Sequence, residues 1–233
     1  MKTKKLIVLF SLLFIGFGSL YAQVDYQISS ALDFYRQKEL TTGEFNKQLE
    51  ESDIKGSPYL NKAFEEASIF TTTKVQFKAV PLRYNIYTDM IEFETPDNTV
   101  AALAAPEIVE KIEFKDFTLA YVPYMSLNKM KRGFFQVLEL GSTSLYLKPV
   151  VQFEPPQEPG AYAEAKPAEF NRKTDDFYIR FGMEAAELVG NKKELVLLFP
   201  DHQKEIESFI KSKKIKTRKA EDLKELVTYY NSL

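Results

Sequence analysis

Few side chains in this sequence are equipped for acid–base or nucleophilic chemistry. His202 is the sole imidazole of the 233 residues, and there is no cysteine. It follows Asp201 and precedes Lys204 at the start of an amphipathic stretch, and no G-x-S-x-G elbow accompanies it. Its position therefore predicts a solvated helix terminus rather than a general base. Glu92 and Glu94 are two positions apart on an expected strand, so their carboxylates share a face about 6–7 Å apart, a spacing compatible with glycoside hydrolysis. Alternation with Ile91 and Phe93 assigns that face to solvent, the ordinary place for charges on a half-buried strand. The adjacent pairs Glu50-Glu51, Glu65-Glu66 and Asp175-Asp176 lack calcium-loop spacing, and neither phosphate-cradling glycine motif occurs. We expect no catalytic residue, no metal and no cofactor.

Two groupings suit binding. Tyr84, Tyr87, Tyr121 and Tyr124 could form a stacking platform, with Arg83 beside the first, because a phenol offers an apolar face and a polar tip. The same aromatics are also natural cross-strand core pairs. Lys211, Lys213, Lys214, Lys216, Arg218 and Lys219 place six positive charges in nine residues, a patch for an anionic lipid or phosphorylated glycan or else a solvated connector between helices.

The elements that would position these groups change character along the chain. Three lysines in the first five residues precede the uncharged run Leu6–Leu20 and then Tyr21-Ala22-Gln23, the layout of a secretory signal peptide cleaved after Ala22. The expected destination is the periplasm or cell surface, with no lipidation, since no cysteine follows, and no transmembrane anchor after cleavage. Removing the leader's three lysines from the 31 Lys+Arg leaves 28 against 33 Asp+Glu, a net charge of −5. That excludes a global basic field for nucleic acid.

Residues 23–55 are polar with a short helical signal at Ile28, Leu32 and Tyr35. Residues 56–190 carry short runs rich in Val, Ile, Phe, Tyr and Thr, expected as strands near 74–80, 82–87, 90–94, 99–103, 111–114, 117–122, 133–140, 144–153 and 176–181. Tyr87-Thr88-Asp89-Met90 reads as a hairpin turn. Residues 154–173 hold prolines 155, 156, 159 and 167 and read as an excursion outside the sheet. In residues 191–233 the period becomes helical, first around Ile206, Phe209 and Ile210 with Asp201 as the expected N-cap, then at Leu223, Leu226, Val227 and Tyr230. The expected fold is α+β: an antiparallel meander, strongly curved or partly barrel-like, with an N-terminal helix and two C-terminal helices packed against it.

Gly56-Ser-Pro-Tyr-Leu-Asn61, Val80-Pro-Leu-Arg-Tyr-Asn-Ile-Tyr-Thr-Asp89, Ile91-Glu-Phe93 and the ending, Phe209-Ile-Lys211 and Lys216-Thr-Arg-Lys219 with Leu226-Val-Thr-Tyr-Tyr-Asn-Ser-Leu233, resemble a group of uncharacterised secreted proteins common in Bacteroidetes. The resemblance spans Gly56–Leu233 and implies an envelope location without transferring any activity. The combined expectation is an exported, non-enzymatic binding module whose partner is an envelope protein, a glycan or a lipid. The rival expectations are a carrier of an amphiphile in the curved sheet, and a hydrolase using Glu92 and Glu94 or Asp175 and Asp176.

Overall fold

A computed structural model describes residues 54–95, 99–157, 159 and 164–233. The leader, its cleavage point and the helix expected within 23–55 lie outside the described residues. The strands are β1 (Lys55–Gly56), β2 (Glu65–Thr71), β3 (Gln76–Asn85), β4 (Met90–Glu94), β5 (Val100–Ala102), β6 (Val109–Glu113), β7 (Thr118–Ser126), β8 (Lys129–Glu139), β9 (Thr143–Lys148), β10 (Val151–Glu154), β11 (Glu169–Arg172), β12 (Asp176–Phe181) and β13 (Glu187–Leu188). The helices α1 (Lys192–Leu198), α2 (Gln203–Ser212) and α3 (Ala220–Tyr230) follow.

Ten strands form one antiparallel sheet in the order β13-β12-β9-β8-β7-β6-β2-β3-β4-β5, which does not close into a barrel. A separate three-stranded sheet is ordered β1-β11-β10. Four strand intervals separate β3 from β8, about 19 Å in a flat sheet. Yet the Tyr84 and Phe134 rings meet edge-on at 6.1 Å. The sheet must therefore be strongly curved between them.

Strand alternation explains how one sheet serves several cores. Phe134 and Phe135 are neighbours on β8 and so point to opposite faces. Phe134 joins Leu82, Tyr84, Ile91, Ile112 and Leu119, whereas Phe135 joins Ala120, Val122, Tyr146, Tyr178 and Ala186. On the second face the sheet curls far enough for Ala186 to reach β7, where it exchanges backbone hydrogen bonds with Pro123 and Met125. The helices cover Leu145, Phe177 and Ile179 with Leu195, Ile206, Leu223 and Leu226. Asn231, just beyond α3, pins that helix to the β8–β9 turn: its amide accepts from Ser142 Oγ and Thr143 N and donates to the Thr143 carbonyl.

Several elements differ from expectation for identifiable reasons. The strands expected at 74–80 and 82–87 are one strand, β3. Its irregularity is a bulge at Ala79 (φ 53°), where the register against β2 shifts, rather than a break at Pro81. The strand expected over 144–153 is two, separated at Pro149, which has no N–H to offer a ladder. β7 and β8 run past the expected 122 and 133 into a tight turn at Leu127-Asn128. The Pro-rich excursion returns as β11, whose residues 169–172 follow the last proline and pair with β10 and β1. Three helices occupy the C-terminal region where periodicity predicts two. The additional one, α1, starts at an Asn191–Glu194 capping box, a signature present in the sequence as Asn-x-x-Glu. α2 is preceded by His202 (φ 53°), not by Asp201, whose carboxylate instead accepts a short hydrogen bond from the Tyr230 hydroxyl.

Candidate functional site

The chemistry-bearing groups gather where β9 stops. Lys148 is its last residue, and beyond it β8 has no strand on that side, since β9 pairs with β8 only from Gln136 onward. This leaves the backbone of Phe134 facing outward with a donor and an acceptor to satisfy. The turn between β3 and β4 supplies the first partner. Asp89, at φ 58° in the left-handed region that aspartate tolerates better than most residues, accepts from Phe134 N through Oδ1 at 3.2 Å. Lys148 Nζ donates to the Phe134 carbonyl at 2.9 Å and to Asp89 Oδ2 at 2.6 Å. Tyr84 OH completes the carboxylate's shell by donating to Asp89 Oδ1 at 2.7 Å. Two side chains thus take the place of a strand. Gly133 makes the approach possible, because a Cβ there would lie 2.3 Å from Asp89 Oδ2 and 2.8 Å from Lys148 Nζ.

Lys148 is set against aromatic rings as well. Its Nζ lies 4.7 Å from the Phe135 centroid and 5.6 Å from that of Tyr124. Burial pushes the ammonium pKa down, and the Asp89 carboxylate opposes that shift. Tyr124 meets Phe135 and Tyr178 edge-to-face at 5.1 and 5.6 Å. Burial carries the Tyr178 hydroxyl up to about 12, with Asp176 and Tyr124 adding to it. Tyr84, Tyr121 and Tyr124 are each raised by burial first and by the Asp89 charge second. Among the described residues, the hydroxyls of Tyr121, Tyr124 and Tyr178 have no hydrogen-bond partner; Tyr121 and Tyr124 are half-buried, whereas Tyr178 is 7% exposed and its hydroxyl oxygen keeps contact with solvent.

The four tyrosines singled out from the sequence do not share one platform. Tyr84 is 1% exposed and belongs to the core with Phe134. Tyr87 packs on Phe153 and Phe170 of the small sheet. Tyr121 and Tyr124 differ in parity along β7 and so occupy opposite faces, Tyr121 against Phe134 and Tyr124 against Phe135. Asp89 at the edge of β8 links the two sides through Tyr84 and Lys148. Asp89, Lys148 and Tyr178 carried no sequence signal beyond a turn position, a lysine before a proline and one alternating aromatic.

The expected wet face of β4 is dry at Glu92 alone, with Met90 and Glu94 on either side of it exposed. Glu92 is 1% exposed, with Oε2 held by Arg83 Nε at 2.8 Å and Nη2 at 2.7 Å, and Oε1 held by Asn85 Nδ2 at 2.9 Å. Arg83 also donates to Tyr59 OH at 2.9 Å and stacks over the rings of Tyr59 and Phe64 at 3.8 and 4.5 Å. The segment before β2 has folded over Glu92 and removed it from water. Glu94 remains exposed, so the two carboxylates occupy unlike environments. Asp175 is bound to Arg172 at 2.5 Å, while burial raises the pKa of Asp176.

In the C-terminal basic run, Lys211 pairs with Glu207 at 2.6 Å, Lys213 with Glu225 at 2.8 Å and Lys219 with Asp222 at 3.1 Å. Half of its charge is therefore balanced locally, leaving Lys214, Lys216 and Arg218. His202 stands at the entrance of α2 near Glu205, at 3.7 Å, and the Tyr230 ring. No group of three or more His, Cys, Asp or Glu among the described residues is arranged to hold a metal, and no described helix is long and apolar enough to cross a membrane. No family model, curated protein or solved structure matches the chain.

Proposed function

We propose that this chain is an exported envelope protein that acts by binding, and that its contact surface is the group Tyr124, Tyr178 and Lys148 with Asp89 behind it. The observation that carries this reading is the pair of unpartnered hydroxyls on Tyr124 and Tyr178 beside a half-buried ammonium. Ring edges and faces held by edge-to-face packing are rigid, so contact with them costs little side-chain entropy. The hydroxyls and the Lys148–Asp89 pair supply donors and acceptors around that apolar surface. A saccharide fits this chemistry: a C–H face lies on the half-buried Tyr124 ring while its hydroxyls reach the Tyr124 and Tyr178 oxygens. The signal-peptide layout and the resemblance to secreted proteins put envelope glycans within reach.

Tryptophan is absent from the chain, so tyrosine emission reports on the site without an indole background. Titration with soluble fragments of envelope glycan should change that emission saturably. Tyr124→Ala should weaken the response at least tenfold, and Tyr178→Phe should weaken it less while leaving the ring in place. Glycan fragments that leave wild-type emission unchanged at millimolar concentration would remove this reading.

A further inference from the structure

The β7–β8 hairpin extends beyond the sheet that carries it. β7 pairs with β6 only through Thr118 and Leu119, β9 joins β8 only from Gln136, and Ala186 touches β7 only around Pro123 and Met125. From Ser126 to Arg132 the chain is a free two-stranded ribbon. Its turn places Leu127 and Asn128 at φ 49° and 58°. Both central residues of such a turn favour Gly, Asn or Asp, so Asn128 is at home and Leu127 is strained. That leucine is also 93% exposed.

The ribbon is two-sided. Met125 and Met130 are directly opposed across the ladder, at 37% and 71% exposure, on the face that also holds Arg132. Lys131 opposes Tyr124 and Lys129 opposes Ser126 on the other face. None of Lys129, Lys131 and Arg132 forms an ion pair among the described residues, in contrast to half of the C-terminal basic run. No acidic residue occurs from Phe117 to Leu138. Uncompensated positive charge thus surrounds a projecting apolar apex.

We infer that the Leu127 apex, with Met125, Met130, Lys129, Lys131 and Arg132, docks the protein on an anionic lipid bilayer. A stable protein partner would need about 800 Å² on each side, more than a ribbon tip of this length offers. A bilayer requires only that one or two apolar side chains enter the interface while basic residues meet lipid phosphates. The long stems of Lys129 and Lys131 can keep their charges at headgroup level while the Leu127 side chain sits deeper. Strain kept at an exposed leucine has a purpose if that side chain is buried in lipid.

The test is flotation of the Gln23–Leu233 chain with vesicles of phosphatidylethanolamine and phosphatidylglycerol, against vesicles of phosphatidylcholine alone. Binding should favour the anionic vesicles by at least tenfold and decline as salt is raised. Leu127→Asn should reduce binding about tenfold while leaving the melting temperature unchanged or higher, because asparagine suits the turn. Lys129→Glu with Lys131→Glu should abolish binding in a folded protein. Equal flotation on both vesicle types, or a folded Leu127→Asn variant that binds like wild type, would overturn the inference. So would loss of binding on changing Lys214 and Lys216 but not the ribbon. Crosslinking of the ribbon to an envelope protein together with no vesicle binding would likewise replace lipid with a protein partner.

Discussion

Asp89 and Lys148 are 59 positions apart in sequence, and their side chains meet at 2.6 Å beside the Phe134 backbone, standing in for a strand that Pro149 prevents. The β3–β4 turn is thereby fastened to the far side of the curved sheet. A hairpin tip, a strand end and an exposed ladder edge satisfy one another at that point.

Breaking this pair should cost more than an ordinary surface ion pair, because the lysine side chain is 14% exposed and loses its counter-ion in place. Asp89→Ala should lower stability by about 3 kcal/mol, and Lys148→Met by less, since the methionine can keep the contact with Phe135 and carries no charge. In the double variant the losses should not add. Urea unfolding of the four proteins in a double-mutant cycle measures the coupling, and strict additivity would contradict the clasp.

Gly133→Ala should destabilise by displacing the ends of the Asp89 and Lys148 side chains from the Phe134 backbone, at a cost up to that of losing the pair, about 3 kcal/mol. Gly182→Ala is the contrasting case. It meets nothing within 4 Å, so only the positive φ of 51° resists the methyl group, at about 1 kcal/mol. Thermal denaturation should rank the two in that order.

Glu92→Gln removes a charge on which Arg83 depends, and should destabilise by about 3 kcal/mol as an uncompensated buried guanidinium is left behind. Arg83→Ala should be comparable, with added loss of packing on Tyr59 and Phe64. Both should lower the melting temperature without altering the glycan response of a folded sample. A selective loss of binding at unchanged stability would instead make Arg83 a ligand contact.

Alkaline pH should weaken the fold through Tyr178. Its pKa of about 12 in the folded chain exceeds the value of about 10 expected when unfolded. The folded state therefore holds the proton longer, and its advantage is complete below pH 10 and lost as pH climbs through 12. About 1–2 kcal/mol should be involved once residual solvent contact is allowed for. Lys148 acts in the opposite direction: its depressed pKa makes its contribution improve as pH rises from that value toward about 10.4. Tyr84 and Tyr230 are also raised, so tyrosinate absorbance against pH should show several late-titrating phenols, one fewer in Tyr178→Phe than in the unaltered chain.

Local elements with a short-range side-chain period were legible in the order of residues alone. Alternating β-branched and aromatic runs gave antiparallel strands, the Tyr87–Met90 segment gave a turn, and Glu221 and Asp222 marked the first turn of the last helix. Where a strand lies in the sheet, and what covers each face, is set by contacts dozens of positions away, which no local period encodes. Alternation assigned Glu92 to water, but the segment around Tyr59 covers it, and only tertiary structure brought Arg83 and Asn85 to its oxygens. The same holds for the tyrosines. Parity along β7 was legible and already separates Tyr121 from Tyr124, yet the partners that distinguish them, Phe134 with Asp89 and Phe135 with Tyr178, are assembled by sheet curvature. Curvature sums small twists over many strands, and the Asp89–Lys148 clasp forms only once that sum is complete.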